Sequence, residues 1–360
     1  MKIGIVTFPT AINYGTALQA AALGKVLSGD NNTVRFINHR CPLIDSTNSV
    51  FDFRNIFDIK YTIAHLINLD VALRRKKNFI GFRNKYIPLT EDKPYESDML
   101  VAGSDQIWNY NLTDCDFYYF LDFPKKHLKK VSYAGSFGLS AIDEKHKERI
   151  NTLLSDFDYL SVRENQASEI IRELSDKSVP VVCDPTLLMT KEDWGKIATD
   201  KARESGYIFV YTVFNSNRIW EYAEELSRKT GLPVKTISYS KLHRRNAQYD
   251  YTAGPDDWVG YMLNADYVVT NSFHGVAFSV NFNKNFFFDM PPEKAGVGSR
   301  ISDITARYGL ADRNISAPGF SYTEAAPDFT TANERLEEDR AFSFRFIDSF
   351  LGKSGEEVQP

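Results

Sequence analysis

The chain has 360 residues, of which 43% are hydrophobic and 25% charged, and its formal net charge at pH 7 is −4. This length predicts two domains with sizeable cores, and the slightly acidic balance argues against a dedicated nucleic-acid-binding protein. Cys41, Cys115 and Cys183 lie far apart with neither CxxC nor metal-ligand spacing. That usage favours a reducing compartment and buried thiols over a disulfide framework.

The N-terminal apolar run is short and lacks the cleavage pattern of a signal peptide. No uninterrupted apolar run reaches the roughly 18–20 residues of a membrane span. We therefore expect a cytoplasmic protein without a transmembrane segment.

Strand-like and helix-like segments alternate through the first half of the chain. The predicted strands are residues 2–7, 33–38, 99–102, 131–134, 159–162 and 181–183, and the predicted helices are residues 16–27, 143–157 and 165–174. This order predicts a mostly parallel sheet covered on both faces. Residues 51–86, which interrupt the alternation, have a helical pattern.

Two basic runs stand out in this half of the chain, Arg74-Arg75-Lys76-Lys77 and Lys125-Lys126-His127-Leu128-Lys129-Lys130. Each is compatible with peripheral contact to a membrane-bound or phosphate-rich substrate. We favour an ordinary solvated face for each, because the net charge is negative and neither run has an aromatic partner pattern.

The alternation restarts after Asp184-Pro185-Thr186. The predicted helices are residues 191–199, 216–230, 255–264, 273–281 and 341–351, and the predicted strands are residues 207–214, 233–238, 267–270 and 286–288. The whole pattern predicts an α/β protein of GT-B-like class, with two Rossmann-like doubly wound domains facing a cleft. We expect domains at residues 1–186 and 187–340, and a terminal helix and tail at 341–360 that pack back on the N-terminal domain.

The loop after the first strand carries Asn13, Tyr14 and Gly15 before a predicted helix. Gly15 allows close approach of a ligand to the backbone, and the helix N–H groups could hold an oxyanion or a sugar hydroxyl. The loop lacks GxGxxG, so no dinucleotide fingerprint is present. A plain βα turn remains the alternative.

A second strand end carries Ser104, Asp105, Gln106 and Trp108. Small polar groups beside an indole suit carbohydrate binding, and Asp105 could act as a base toward a sugar hydroxyl. Alternatively, Asp105 or Ser104 caps a helical turn and Trp108 belongs to the core.

Two further strand ends complete this group in the first domain. The segment with Tyr133 and Ser136 follows the next strand, and Arg163 follows the one after that. A guanidinium in that place suits a carboxylate or phosphate, or an internal ion pair with Glu164 or another acid. For Asp184 we favour an interdomain structural role.

In the second domain, the strand at residues 267–270 leads into Asn271, Ser272, Phe273, His274 and Gly275. A histidine at such a strand-to-helix junction could bind an anion and move a proton at neutral pH. The alternative is that Asn271 or Ser272 caps the helix and His274 packs in its first turn.

Arg300 follows a glycine-rich loop that could close over a ligand, or else is a surface arginine. The sequence contains no HExxH, Walker A or GxSxG motif and no clustered metal-ligand set, so we predict no metal site and no serine-hydrolase triad.

In this order, seven segments resemble the polysaccharide pyruvyl transferase family. They are Asn13-Tyr14-Gly15 with Gln19, Gly103–Trp108, Ser132–Gly138, Ser161–Glu164, Asp184–Thr186, Thr270–Gly275 and Ser299–Ile301. The resemblance extends from the first strand to about Leu310. Each motif alone is weak, but seven in one order are specific.

The resemblance implies transfer of pyruvate from phosphoenolpyruvate to two hydroxyls of a sugar, as a cyclic ketal, with no obligatory metal or other cofactor. It implies a glycan or lipid-linked oligosaccharide acceptor in the first domain and the donor in the second. His274 matches the family's essential histidine, for phosphate contact and proton transfer, and Arg163 matches an arginine that binds phosphoenolpyruvate.

One position departs from the family. Characterised members resemble Arg-Leu-His where this chain has Ser272-Phe273-His274. Arg300 or Lys284 could replace the missing cation, or the donor could differ. Two other functions stay open: a GT-B glycosyltransferase using a nucleotide sugar, and a non-catalytic glycan-binding relative.

Overall fold

The computed structural model describes residues 1–29, 32–47, 59–91, 93–124, 128–242, 245–292 and 298–353. Contacts divide the chain into two compact units. The first comprises Met1–Asn48, Arg83–Met189 and Leu336–Pro360, and the second comprises Ser49–Phe82 and Thr190–Arg335.

The first unit is built on a parallel sheet of six strands in the order β3-β2-β1-β4-β5-β6. The strands are β1 (Lys2–Val6), β2 (Thr33–Ile37), β3 (Leu89–Thr90), β4 (Met99–Ala102), β5 (Lys129–Gly135) and β6 (Tyr159–Val162). The central strand β1 pairs Ile3 with Val34 of β2 on one side and with Met99 of β4 on the other. Its apolar residues are buried, as expected for a strand covered on both faces.

The second unit has a parallel sheet in the order β11-β10-β7-β8-β9. Its strands are β7 (Ile208–Tyr211), β8 (Val234–Ile237), β9 (Gln248–Asp250), β10 (Tyr267–Thr270) and β11 (Asn285–Phe288). Strand β10 lies between β7 and β11, with Val269 opposite Val210 and Phe287. The segment that follows β10 therefore leaves an interior strand of the sheet.

Helices connect the strands of both sheets. They are α1 (Tyr14–Leu27), α2 (Pro42–Thr47), α3 (Ile59–Tyr86), α4 (Tyr110–Thr113), α5 (Glu144–Ser155), α6 (Asn165–Ser175), α7 (Pro185–Leu188), α8 (Lys191–Gly195), α9 (Asn217–Thr230), α10 (Pro255–Asn264), α11 (Phe273–Asn281), α12 (Gly298–Arg307) and α13 (Thr330–Leu351). Polar caps set several of the starts, because they accept N–H groups that the helix leaves unbonded. Asn13 accepts from Thr16 N before α1, and Ser216 accepts from Ile219 N before α9.

The expected α/β fold class with two doubly wound units is confirmed, and the strand at 267–270 has the predicted bounds. Several segments differ from prediction. Helix α13 begins at Thr330 instead of residue 341, and α8 ends at Gly195 instead of residue 199. No strand was predicted between residues 238 and 255, but Gln248–Asp250 form β9, which pairs with β8. The predicted strand 181–183 forms only an isolated bridge between Val181 and Val162, because Asp184 immediately begins helix α7.

Residues 49–82, which we assigned to the first domain, group with the second unit instead. The physical reason is a set of hydrogen bonds from α3 to the loops after β8 and β9. Arg75 donates to the carbonyl oxygens of Ser238 and Tyr251, and Asn78 donates to that of Thr252. Such bonds join residues more than 160 positions apart, and no local pattern encodes them.

The end of the chain belongs to the first unit from Leu336 onward. Ser343 Oγ of α13 accepts from Cys183 N at 2.9 Å, and the Phe350 carbonyl accepts from Lys129 Nζ at 3.0 Å. The predicted domain boundary lies between residues 186 and 187, and the boundary between the two units in the structure lies between Met189 and Thr190. The tail 354–360 lies outside the described residues.

The second basic run is only partly described, since Lys125, Lys126 and His127 lie outside the described residues. Lys130 of that run is buried, and its ammonium donates to the carbonyl oxygens of Leu121 and Phe123. Within the described ranges, no helix has both the length and the apolar character needed to cross a bilayer.

Candidate functional site

In the first unit, the segments after β1, β4, β5 and β6 leave the same edge of the parallel sheet. Asp105 lies at this edge, after β4, with φ of 82°. Its neighbour across the sheet is Gly135, next to a register shift in β5 where Ala134 has φ of 55°. Two non-glycine residues in the left-handed region are strained, and such strain concentrates at functional sites. The predicted base therefore lies in an irregular sheet edge.

Hydrogen bonds fix the Asp105 carboxylate. Its Oδ2 accepts from the hydroxyl of Thr16, in the first turn of α1, and its Oδ1 accepts from Gln106 N at 2.9 Å. The Arg163 guanidinium lies 3.9 Å from Oδ1. The side chain is mostly buried but not sealed. These contacts hold the Asp105 carboxylate in one orientation.

Arg163 is enclosed by carboxyl groups rather than open to a ligand. Its side chain is 1% exposed, and its nitrogens lie 2.8 Å from Asp184 Oδ2 and 3.5 Å from Glu164 Oε2, besides the contact with Asp105. Burial alone would lower the pKa of Arg163, but these carboxylates raise it above its usual value. One guanidinium facing three carboxyl groups is the internal ion-pair arrangement, and it does not favour a dianionic ligand.

Asp184 and Glu164 complete this network, which we define as the Arg163 cluster: Asp105, Arg163, Glu164 and Asp184. Asp184 caps α7 by accepting from Thr186 N, and its other oxygen accepts from Ser104 Oγ at 3.2 Å. Glu164 accepts from Ser136 Oγ at 2.6 Å. The Arg163 cluster thus joins four of the predicted strand-end segments through buried polar bonds.

The three predicted aromatic acceptor residues of the first unit are core residues. Tyr14, Trp108 and Tyr133 are fully buried. Trp108 donates from Nε1 to the Tyr119 carbonyl and packs on Phe120 and Phe137, and the Tyr133 hydroxyl donates to the Cys183 carbonyl at 3.0 Å. Burial raises the pKa of Tyr133 well above its usual value. These rings therefore hold the sheet edge in place and offer no exposed face.

The other predicted acceptor residues divide between surface and interior. Asn13 is exposed at the start of α1, and Gln106 is half-buried and accepts from Asn109 Nδ2 at 3.2 Å. Gly15, Ser104 and Ser136 are buried. Of the acceptor set, Asn13 and Gln106 are the side chains that reach solvent beside Asp105.

In the second unit, the segment after β10 enters α11 through closely fitted polar bonds. Thr270 Oγ1 donates to the Tyr211 carbonyl at 2.6 Å and accepts from Ser272 N at 3.1 Å. Ser272 Oγ accepts from Gly275 N and so caps α11. A Cβ atom on Gly275 would lie 2.3 Å from Thr270 Oγ1, so only glycine fits there. This contact fixes the first turn of α11 on the strand.

Asn271 is buried and joins this segment to the loop after β7. Its Oδ1 accepts from Val213 N at 2.9 Å, and its Nδ2 donates to the Phe214 carbonyl at 2.8 Å. Both ends of the amide are used by the backbone, so Asn271 positions two strand-end loops relative to each other.

His274 lies in the first turn of α11 and is half-buried. Its ring centroid is 5.1 Å from that of Phe273. The Arg300 guanidinium of α12 lies 5.7 Å from the same Phe273 centroid. An imidazole and a guanidinium therefore flank Phe273 at a helix N-terminus. A helix start with a nearby cation is a favourable place for a phosphate or carboxylate.

Lys284, the second candidate for the missing cation, lies elsewhere. It precedes β11, at the opposite edge of the parallel sheet from the start of α11. Its ammonium donates to the carbonyl oxygens of Leu263 and Ala265, and burial lowers its pKa to about 8. Lys284 therefore does not lie where it could replace the family arginine. Arg300, by contrast, lies close to Phe273, the residue next to His274.

Two contacts in these sites could not be predicted from the sequence. The bond from Thr16 to Asp105 spans 89 residues, and the contact of Arg300 with Phe273 joins two helices. Neither has a local signal, although all four residues fall in or beside the motifs singled out. Among the described residues, no group of three or more His, Cys, Asp or Glu side chains could hold a metal ion.

Comparison with known proteins gives one family match. The model of the family described as polysaccharide pyruvyl transferase matches residues 13–288. No curated protein matches the chain significantly.

Several solved structures are similar at low identity. S. aureus MnaA in a co-structure with UDP is 13% identical, over 99% of this chain and 98% of that chain, with a TM-score of 0.49. A putative UDP-N-acetylglucosamine 2-epimerase from Listeria monocytogenes is 8% identical, over 98% and 97%, at 0.46. E. coli heptosyltransferase WaaC with ADP is 10% identical, over 94% and 100%, at 0.40. None of the three reaches a TM-score of 0.5.

Proposed function

The chain belongs to the polysaccharide pyruvyl transferase family, and from this membership we propose that it transfers the pyruvyl group of phosphoenolpyruvate to a sugar. The two acceptor hydroxyls belong to a glycan or lipid-linked oligosaccharide, a precursor of a cell-surface or exopolysaccharide. The product is a cyclic ketal, and the reaction takes place in the cytoplasm.

One observation carries the proposal: His274 lies in the first turn of α11, directly after the interior parallel strand β10, and the Arg300 guanidinium lies 5.7 Å from the centroid of the neighbouring Phe273 ring. Phosphoenolpyruvate has a phosphate and a carboxylate, and a helix N-terminus with a guanidinium attracts both. An imidazole is the side chain that can give and take a proton near neutral pH, so His274 can act as acid and base at that place. We therefore assign donor binding to the second unit.

The chemistry needs proton transfer and electrostatic stabilisation. A proton added to C3 of phosphoenolpyruvate makes C2 electrophilic, and one sugar hydroxyl forms a bond to C2. The C2–O bond to phosphate then breaks, and the second hydroxyl forms the second C2–O bond. Of the two hydroxyl protons, one balances the new methyl group and the other leaves with inorganic phosphate. These are acid–base steps, so we propose no cofactor beyond the co-substrate.

The roles divide between the two units. His274 contacts the phosphate and transfers the proton, and Arg300 supplies the positive charge that the family arginine gives in other members. Asp105 accepts a proton from the acceptor hydroxyl, held in place by Thr16 and Gln106 N. Arg163 acts on Asp105 and Asp184 as a positioning residue, because its guanidinium is already surrounded by their carboxylates.

The test is mass spectrometry of a panel of glycan acceptors incubated with phosphoenolpyruvate. We expect one acceptor to gain a pyruvyl ketal and an equal amount of inorganic phosphate to appear, and His274→Asn to abolish both. A parallel reaction with nucleotide sugars in place of phosphoenolpyruvate decides between donors. Glycosyl transfer there, without ketal formation, would contradict the proposal. Glycan binding without any transfer, unchanged by His274→Asn, would show a non-catalytic protein.

A further inference from the structure

Helix α3 has apolar side chains on a face exposed to solvent. Ile63, Leu66, Ile67 and Leu73 are 54%, 59%, 42% and 52% exposed. With 3.6 residues per turn, these four positions fall within an arc of about 120°. Single exposed leucines are common on protein surfaces, but four large apolar residues on one helical face form a patch of the kind that marks an interaction site.

Basic residues continue the same face toward the C-terminal half of the helix. Arg74 and Lys77 are exposed and fall within the same arc as the apolar residues. The same arc contains one acidic residue, Asp70, and its carboxylate forms an ion pair with Lys241 Nζ at 2.6 Å. The exposed face is thus apolar at Ile63, Leu66 and Ile67 and positively charged at Arg74 and Lys77, with Leu73 beside Arg74.

Polar side chains outside this arc attach α3 to the loops that follow β8 and β9. Asn68 accepts from Lys241 N at 2.7 Å, Arg75 donates to the carbonyl oxygens of Ser238 and Tyr251, and Asn78 donates to that of Thr252 at 2.8 Å. The Arg75 guanidinium also lies 4.1 Å from the ring centroid of Tyr239. These bonds hold the helix in one orientation, so its exposed face keeps its direction relative to the sheet.

The loops that hold α3 follow β8 and β9, which are parallel to β10. Loops after parallel strands leave the same edge of a sheet. Helix α3 is therefore anchored to the edge of the second unit from which the Asn271–His274 segment also leaves. We call this edge, from which the Asn271–His274 segment leaves, the donor edge. A surface in contact with α3 would lie beside it.

We propose that the exposed face of α3 (Ile63, Leu66, Ile67, Leu73, Arg74 and Lys77) docks the protein on an anionic phospholipid surface. An interfacial helix inserts apolar side chains at the headgroup boundary while lysines and arginines contact the anionic headgroups. The chemistry of the face matches both parts of such a surface. Pairing of two copies through this face would bring Arg74 and Lys77 of both copies together, and the acid of this arc, Asp70, is already paired with Lys241.

Membrane docking also fits an acceptor linked to a lipid. The donor edge of the second unit would then be held at the surface where such an acceptor resides. The inference is independent of the proposed reaction, however, because lipid binding is measured on vesicles that contain neither donor nor acceptor. Failure of one proposal would leave the other standing.

The experiment is co-sedimentation of the full-length protein with vesicles of phosphatidylcholine alone and of phosphatidylcholine mixed with phosphatidylglycerol. We expect binding to the anionic vesicles that weakens as salt is added. The double variant Arg74→Glu/Lys77→Glu should weaken binding at least about tenfold, since each basic residue near the surface contributes roughly a fivefold change. The double variant Leu66→Ser/Ile67→Ser should also weaken binding at least about tenfold, because it removes two of the apolar side chains that insert at the headgroup boundary. Circular dichroism and thermal unfolding check that both remain folded.

Two control variants match these changes elsewhere on the surface. Leu112→Ser removes another exposed leucine, and Lys145→Glu/Lys147→Glu makes the same change in net charge on α5. Both should bind like the wild type. Absence of binding by the folded wild type would overturn the proposal, and so would equal losses in the controls. A wild-type dimer in light scattering that Leu66→Ser/Ile67→Ser converts to monomer would identify a self-interface instead.

Discussion

The strand-end sites of the two units differ in the sign of the charge that they offer. In the first unit, the Arg163 cluster places one guanidinium against three carboxyl groups. In the second unit, an imidazole and a guanidinium flank Phe273 at the start of α11. Both sites follow buried parallel strands, so the topology is shared and only the side chains distinguish them.

This difference supports the proposed division of labour, with the donor in the second unit and the acceptor in the first. A site rich in carboxylates repels phosphoenolpyruvate but suits neutral hydroxyls, which carboxylates can orient and deprotonate. A helix start with basic groups attracts the anionic donor. Arginine at a strand end therefore does not identify an anion site by itself, because its neighbours decide the net charge. Arg163, at the end of β6, is surrounded by carboxyl groups, whereas Arg300, in the first turn of α12, lies near the ring of Phe273.

The largest expected effect concerns His274. His274→Asn keeps the approximate shape of the side chain but removes its proton transfer, so we expect kcat for ketal formation to fall by about 10²–10⁴-fold. The matched control is His146→Asn, a half-buried histidine beside Tyr110 in the first unit. Wild-type activity in the His274→Asn variant would remove the catalytic role from the second unit.

Arg163→Met tests whether the Arg163 cluster is structural. Loss of the cation leaves buried carboxylates without compensation, so we expect the free energy of unfolding to fall by about 3–5 kcal/mol. Burial would then raise the carboxyl pKa values in the folded variant above those in the unfolded chain, so the loss should shrink as the pH is lowered. Denaturant unfolding at two pH values measures this.

The surface pair of Arg149 with Asp122 provides a control for that experiment. Arg149→Met removes an arginine from an exposed ion pair and should change the free energy of unfolding by less than about 1 kcal/mol. Equal effects of the two substitutions would show that the burial of Arg163 contributes nothing.

Lys284 separates a structural cation from a donor-binding one. Its pKa of about 8 in the folded state lies below the usual value, so the unfolded chain binds more protons between about pH 8 and pH 10. Wild-type stability relative to Lys284→Met should therefore increase with pH in this window, by up to about 1.4 kcal/mol per pH unit. The KM for phosphoenolpyruvate should not change at neutral pH. An exposed lysine variant, Lys196→Met, should show no such rise.

The smallest expected effect is that of the α11 cap. Ser272→Ala removes the oxygen that accepts from Gly275 N, which should lower the free energy of unfolding by about 1 kcal/mol. If Ser272 served only as a cap, the KM for the donor would stay within about twofold, consistent with a stability change alone. A larger rise in KM would show that the hydroxyl itself contacts the donor.

The alternation of segments and the strand-end motifs were readable from the sequence because both are local. Strand 267–270 and the helix from Phe273 to Asn281 match the structure, since a short β-branched run followed by a capping serine encodes them within a few residues. The position of each motif at the ligand-binding edge follows from the parallel sheet. This much of the candidate site required no long-range information.

The direction of each side chain could not be predicted in the same way. Trp108 and Tyr133 are residue types typical of sugar sites, but both lie in the core. Trp108 packs on Phe120 and Phe137, and the Tyr133 hydroxyl donates to the Cys183 carbonyl. The grouping of α3 with the second unit likewise depends on bonds from Arg75 to residues far along the chain. Contacts between distant positions decide these features.

The central claim, that the second unit binds the donor, is tested most directly by titrating phosphoenolpyruvate into three proteins in a calorimeter. Compared with the wild type, Arg300→Gln should weaken binding about tenfold or more, as expected for loss of one charge-assisted contact. Asp105→Asn should bind as tightly as the wild type or more tightly, since it removes a negative charge. Loss of binding in Asp105→Asn with unchanged binding in Arg300→Gln would contradict the assignment.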